Sequence, residues 1–201
     1  MAAHLCQIVK YHIICNGFFW GILPQKRERL MEEAKKRLKV YCETTFWSYL
    51  NGRPTSLAHI ALSQAATLQW WQEIAPSCDI YVSQYVNDEV LDGDSARAEM
   101  RKRSIAAFPF LDIAHPDIKV ISNALIAGHA VPQDETTDAF HIATASVHGM
   151  DVLLTWNCRH MANPVTLPTT AMIIRDEGYR CPIIITPSQF MERKEEFGYG
   201  N

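Results

Sequence analysis

The spacing of apolar and polar positions changes repeatedly along the chain, and those changes lay out strands alternating with helices. After the charged, helix-prone run QKRERLMEEAKKRLK, from Gln25 to Lys39, the apolar stretch Leu38 to Cys42 reads as a first strand. Thr45 to Leu50 and Ser56 to Ile74 carry helical spacing, and Leu57, Ile60, Ala61, Leu68 and Trp71 form the stripe expected to be buried. Asp79 to Ser83 reads as a second strand, Asn87 to Leu91 and Ser95 to Ala107 as helices, and Phe110 to Ile113 as a third strand. Pro116 opens a helix running to His129, because proline suits a first helical turn. Asp134 to His148 is the clearest helix, with Asp134 as its expected N-cap and Gly149 as its stop. Asp151 to Thr155 then reads as a buried strand, Pro168 to Glu177 as a helix closed by Gly178, and Pro182 to Thr186 as a last strand. A charged helix from Ser188 to Phe197 follows.

Strands separated by helices pair in parallel through right-handed crossovers, with helices on both faces. The expected fold class is therefore α/β, a three-layer α/β/α arrangement around a central, mainly parallel sheet. With 201 residues and 48% hydrophobic content, the chain can bury one substantial core. One domain over 39–201 is expected, preceded by an N-terminal extension over 1–38. For that extension two readings stand side by side: sequence upstream of a natural start at Met31, or a genuine but poorly ordered arm.

Charge and cysteine usage narrow the function classes. A net charge of -3 and a pI near 6.2 leave no global basic footprint, so nucleic-acid contact would rest on local patches. The six cysteines are scattered without any Cys-x-x-Cys pair, which argues against a zinc knuckle and for a reducing cytoplasm. Lys10, His12 and Asn16 interrupt the apolar stretch Ile8 to Leu23, so neither a signal peptide nor a membrane span is expected. Gly-rich phosphate loops, Gly-x-Ser-x-Gly elbows and Cys/His pairs at a family spacing are all missing.

In open parallel sheets the ligand crevice lies beyond the carboxyl ends of the strands. Glu43, Thr44 and Thr45 follow the first strand, Glu89 comes shortly after the second, and Thr155 and Asn157 follow the fourth. Asp138 lies one turn into the clearest helix, past any capping position and among Ala139, Phe140, Ile142 and Ala143, where a carboxylate wants a cation or donors. Each has a blander reading as well: Glu43 as an acid at a helix N-terminus, Glu89 as a solvated helix residue. His141 reads as core packing, His160 is undecided, and Trp70 and Trp71 read as core or partner-facing rather than as a base-stacking platform. Acids brought together repel by about 4 kcal/mol per pair at 4 Å and an effective dielectric near 20. Mg²⁺ or Mn²⁺ relieves that repulsion and activates water for phosphodiester hydrolysis, with Asn157 completing the metal shell or placing the water.

Four segments resemble the PIN-domain family, in particular the VapC-like toxins of toxin–antitoxin pairs. They are VYCETTFWSYL around Glu43, VSQYVNDEVLDGD around Glu89, TTDAFHIATASVHGMDVLLTWN from Thr136 to Asn157, and the tail GYRCPIIITPSQFM. The resemblance covers about Lys39 to Glu195. It implies a Mg²⁺- or Mn²⁺-dependent endoribonuclease acting on RNA, frequent homodimerisation, and neutralisation by a cognate antitoxin. By position, Glu43, Glu89, Asp138 and Asn157 take the places of the four family site residues, with Thr45 and Thr155 in support. Two departures stand out, because most members have Asp where Glu43 lies and many have Asp where Asn157 lies. A catalytically inactive binding or scaffold protein of the same fold is the alternative, and a DNA-directed nuclease is not separable from the sequence.

Overall fold

Five all-apolar or nearly all-apolar strands set the architecture. The computed structural model describes residues 37–199, and from Leu38 onward these form one unit; the readings for residues 1–36 lie outside the described residues. The strands are β1 (Leu38–Cys42), β2 (Cys78–Ser83), β3 (Phe110–Leu111), β4 (Val152–Leu154) and β5 (Ile183–Ile185). They form one wholly parallel sheet in the order β3-β2-β1-β4-β5. Val40 pairs with Ile80 on one side and with Val152 on the other, so β1 is the central strand. Val40, Tyr41 and Cys42 in β1 and all three residues of β4 are fully buried, as expected for central parallel strands covered on both faces.

The connecting helices are α1 (Thr44–Leu50), α2 (Ala58–Glu73), α3 (Gln84–Glu89), α4 (Ser95–Ile105), α5 (Pro116–Ala127), α6 (Thr136–Val147), α7 (Leu167–Asp176) and α8 (Pro187–Glu192). From β1 the chain moves towards β3, then returns past its starting point to β4 and β5. Right-handed crossovers put helices from the two directions of travel on opposite faces, giving the three-layer α/β/α fold. In keeping with this, α2 packs on α1 and α8, while α5 packs on α6 and α7. The strand order reverses between β1 and β4, and the crevice beyond their carboxyl ends is the place such folds reserve for ligands.

Several elements begin or end where side chains dictate. Pro116, Pro168 and Pro187 occupy first-turn positions, and Thr186 caps α8 reciprocally with Gln189. Gly149 (φ 61°) follows α6 and Gly178 (φ 86°) follows α7, a backbone conformation that costs other residues about 1 kcal/mol or more. Three expectations are corrected. The N-cap position of α6 is Glu135 rather than Asp134, and its side chain makes no capping bond. On α2, Leu57 and Leu68 are exposed, and Thr67 and Trp70 are the buried residues. That helix is apolar on nearly every side, so periodicity could not select a face; the edge-on rings of Phe46 and Phe190 against Trp70 do so instead. Trp70 is thus core. The last helix is shorter than expected, ending at Glu192 rather than Phe197.

Candidate functional site

The site begins where β1 ends. Glu43 follows β1 directly, and its backbone N–H still reaches Leu154 O across to β4 (3.1 Å). Its side chain therefore turns back over the β1–β4 junction, where it is only 3% exposed. One carboxylate oxygen accepts the Thr45 backbone N–H (3.0 Å), capping α1. The other accepts the hydroxyls of Thr45 (2.6 Å) and Thr155 (2.8 Å). The capping reading of Glu43 is borne out, and the hydroxyls of Thr45 and Thr155 hold its carboxylate. Burial raises the Glu43 carboxyl above its usual range, against the opposing pull of His141 and the threonine donors.

Glu89 ends α3, which starts earlier than its sequence pattern suggested. Its Oε2 accepts the Thr44 hydroxyl and pairs with His141 Nε2 (2.9 Å). Burial pushes Glu89 upward, but the His141 bond and charge and the Thr44 hydroxyl outweigh it and leave the carboxyl lowered. His141, read from the sequence as core packing, is completely buried, yet both ring nitrogens are engaged: Nδ1 meets the Tyr41 hydroxyl at 2.7 Å, and that hydroxyl also meets Ser83 Oγ at 2.6 Å. Desolvation lowers the His141 pKa, but Glu89, Glu43 and Asp138 together reverse this and raise it. His141 is therefore a site residue that sequence reasoning missed. The available signal was its position three residues after Asp138, which places the two on one helical face.

Asp138 projects from the first turn of α6 and is 12% exposed at its side chain. Its Oδ2 accepts the Asn157 amide N–H (2.7 Å), while Asn157 Oδ1 accepts the His160 backbone N–H (3.0 Å). Asn157 N also donates to Thr155 Oγ1 (2.9 Å), so one hydroxyl joins the Glu43 and Asn157 parts of the site. Burial raises Asp138, helped by Glu135 and opposed by His141, His160 and Asn157.

The four expected residues thus converge on one edge of the sheet, but not as a single ligand set. Among the described residues, atoms able to ligate a cation fall into two groups, each within 4.8 Å: Glu43, Glu89 and His141, and separately Glu135, Asp138 and His160. Asn157, expected as a metal ligand, instead spends both ends of its amide tying Asp138 to the turn before His160. Among the described residues, Glu89 Oε1 and Asp138 Oδ1 accept no hydrogen bond, and no lysine or arginine pairs with any of the three acids. Carboxylates with open oxygens, one buried and one partly buried, and without a lysine or arginine partner have the chemistry that a divalent ion completes.

Fold and site define an α/β/α protein with carboxylate–imidazole clusters at the carboxyl edge of a parallel sheet. No family model and no curated protein matches the chain. Among solved structures it is similar to the tyrosyl-tRNA synthetase complexed with L-tyrosine from Archaeoglobus fulgidus, at 12% identity and a TM-score of 0.32. That match covers 81% of this chain and 58% of the synthetase chain. Likeness at this level carries no argument about function. Among the described residues, no helix is long and apolar enough to cross a membrane.

Proposed function

We propose that this chain is a metal-dependent endoribonuclease of the PIN-domain kind, hydrolysing RNA phosphodiester bonds as a VapC-like toxin held in check by a cognate antitoxin. The observation that carries the reading is that Glu43 and Glu89 gather at the point where the strand order reverses, that Asp138 of the neighbouring group reaches the same edge, and that among the described residues no lysine or arginine pairs with any of the three. Glu43, Glu89 and Asp138 would hold Mg²⁺ or Mn²⁺, which supplies an activated water and stabilises charge on the scissile phosphate. The chain's own part is positioning. Thr45 and Thr155 fix Glu43, Thr44 and His141 fix Glu89, and Asn157 fixes Asp138. Because Asn157 brings no charge, Glu135 and His160 complete the surroundings of Asp138 where the family resemblance would place a fourth acid.

The test is cleavage of a mixed pool of structured and single-stranded RNAs by the full chain with Mn²⁺, with EDTA, and with Asp138→Asn alongside. Cleavage stopped by EDTA and lowered by Asp138→Asn beyond the roughly 10- to 100-fold cost of outer-shell changes supports the reading. Full activity in that variant sinks it.

One observation favours the second reading, an inactive binding or scaffold protein of the same fold. Glu43 is almost wholly buried and accepts three hydrogen bonds from threonines, as a purely structural cap would. Thermal unfolding against Mn²⁺ separates the two, since an ion bound only by the folded state must raise the midpoint. An unmoved midpoint at millimolar Mn²⁺ selects the binding protein.

A further inference from the structure

The geometry points to a second cation centre on Glu135, Asp138 and His160, shaped for a borderline transition ion such as Zn²⁺ or Co²⁺ rather than for Mg²⁺. It goes beyond the ribonuclease reading, sharing with it Asp138 as a ligand and Glu135 and His160 as that residue's surroundings. His160 Nδ1 is buried, yet among the described residues it makes no hydrogen bond. It nevertheless lies 3.3 Å from Asp138 Oδ2 and 3.4 Å from Glu135 Oε1. Those separations exceed the roughly 2.9 Å of an ordinary N–H···O bond. They match instead the edge of a tetrahedron: ligands each about 2.1 Å from a zinc-like ion lie about 3.4 Å from one another. Both edges that meet at the imidazole nitrogen therefore have the spacing of ligands around one ion, and the three atoms lie within 4.8 Å of one another.

The surroundings hold these corners in place. His160 is anchored by its own N–H on Asn157 Oδ1, and the turn that carries it is closed by the N–H groups of Met161 and Ala162 on Asn157 O. Asp138 Oδ2 spends one lone pair on Asn157 and keeps the other. Glu135 occupies the N-cap position of α6, where a side chain ordinarily turns onto the helix N–H groups, but it makes no such bond and lies towards His160. Its side chain is 42% exposed while those of Asp138 and His160 are 12–13% exposed, so an ion would enter past Glu135. A nitrogen ligand selects against Mg²⁺, which takes oxygen donors and octahedral geometry, and favours ions that accept imidazole.

The full chain, freed of metal, is titrated with Co²⁺, whose visible absorption intensifies in tetrahedral surroundings, and Zn²⁺ is then added in competition. The expected result is one intense Co²⁺ band saturating at one ion per chain and bleached by one equivalent of Zn²⁺. His160→Gln and Glu135→Gln each weaken that band's Kd at least tenfold, while Glu43→Gln leaves it in place. Glu135→Gln changes a half-exposed side chain with no hydrogen bond, so it keeps the test sound if His160→Gln fails to fold. A folded protein with no such band overturns the inference, as does a band that survives both variants or disappears with Glu43→Gln instead. The readout is metal binding, so a chain without ribonuclease activity tests it equally well, and loss of cleavage with an intact band would overturn only the function proposed above.

Discussion

The two carboxylate–imidazole clusters use the same residue types and differ in how the histidine is employed. His141 is completely buried and bonded through both nitrogens, to Glu89 and to Tyr41. His160 presents a buried Nδ1 to two acids, 3.3 and 3.4 Å away, without a hydrogen bond to either. A saturated imidazole holds its neighbours rigid and raises the cost of its own removal; an unsaturated one costs stability until something fills the gap. The first cluster therefore reads as a frame and the second as a receptor, although their compositions are nearly alike.

The largest test of that contrast is His141→Leu, which strips Glu89 and Tyr41 of a buried partner. About 2–3 kcal/mol of stability should be lost in urea unfolding. His160→Gln should lose under about 1 kcal/mol by the same measurement, since Nδ1 makes no hydrogen bond to forfeit. Equal losses in the two variants would erase the distinction. Next in size is Asn157→Ala, which removes the bond to Asp138 and the one to the His160 N–H; a loss of about 1–2 kcal/mol is expected, with weaker ion binding in the second cluster. Tyr41→Phe, which leaves His141 Nδ1 without its hydroxyl, should cost about 1 kcal/mol in the same unfolding experiment.

The smallest effect is in pH. His141 has a raised folded pKa, so its contribution is fully present below its ordinary value of 6.5 and is lost as pH rises through the folded value. Glu89 has a lowered one, so its contribution is present above 4.5 and is lost as pH falls through the folded value. The Glu89–His141 pair therefore stabilises the metal-free protein most between about 4.5 and 6.5, while the raised Glu43 beside it contributes below 4.5 and fades as pH rises. Asp138 is raised, so its contribution is present below 3.8 and fades as pH rises. The stability of the wild-type chain relative to Asp138→Asn should thus decline on going from acid to neutral pH. Relative to His141→Leu it should instead pass through a maximum. Denaturant midpoints of the three proteins across pH 3–8 decide this, and parallel profiles would contradict the opposite shifts of Glu89 and Asp138.

Much of the architecture was legible in the chain because it rests on local signals. Apolar runs of strand length, prolines in first turns, and Gly149 and Gly178 at helix ends bounded most elements to within a few residues. Reading polar residues just past strand ends was enough to select Glu43, Glu89, Thr155 and Asn157 as site candidates, since a parallel sheet gathers those ends on one edge. The buried face of α2 was misread because an all-round apolar helix carries no directional signal. The N-cap of α6 was misread because Asp134 and Glu135 are adjacent acids and local preference ranks Asp first.

The sequence by itself thus determined the order of elements, the parallel sheet, and which acids stand near its carboxyl edge, because each follows from residue spacing and backbone preference. Only the tertiary structure decided how those acids are grouped. That Glu89 meets His141 and Tyr41, that Asn157 is turned into a brace, and that Glu135 and His160 gather about Asp138 all depend on how separate helices and turns approach in space. Distances of 3.3 Å rather than 2.9 Å, which separate a receptor from a frame, are set by packing among residues far apart in the chain and leave no trace in local pattern.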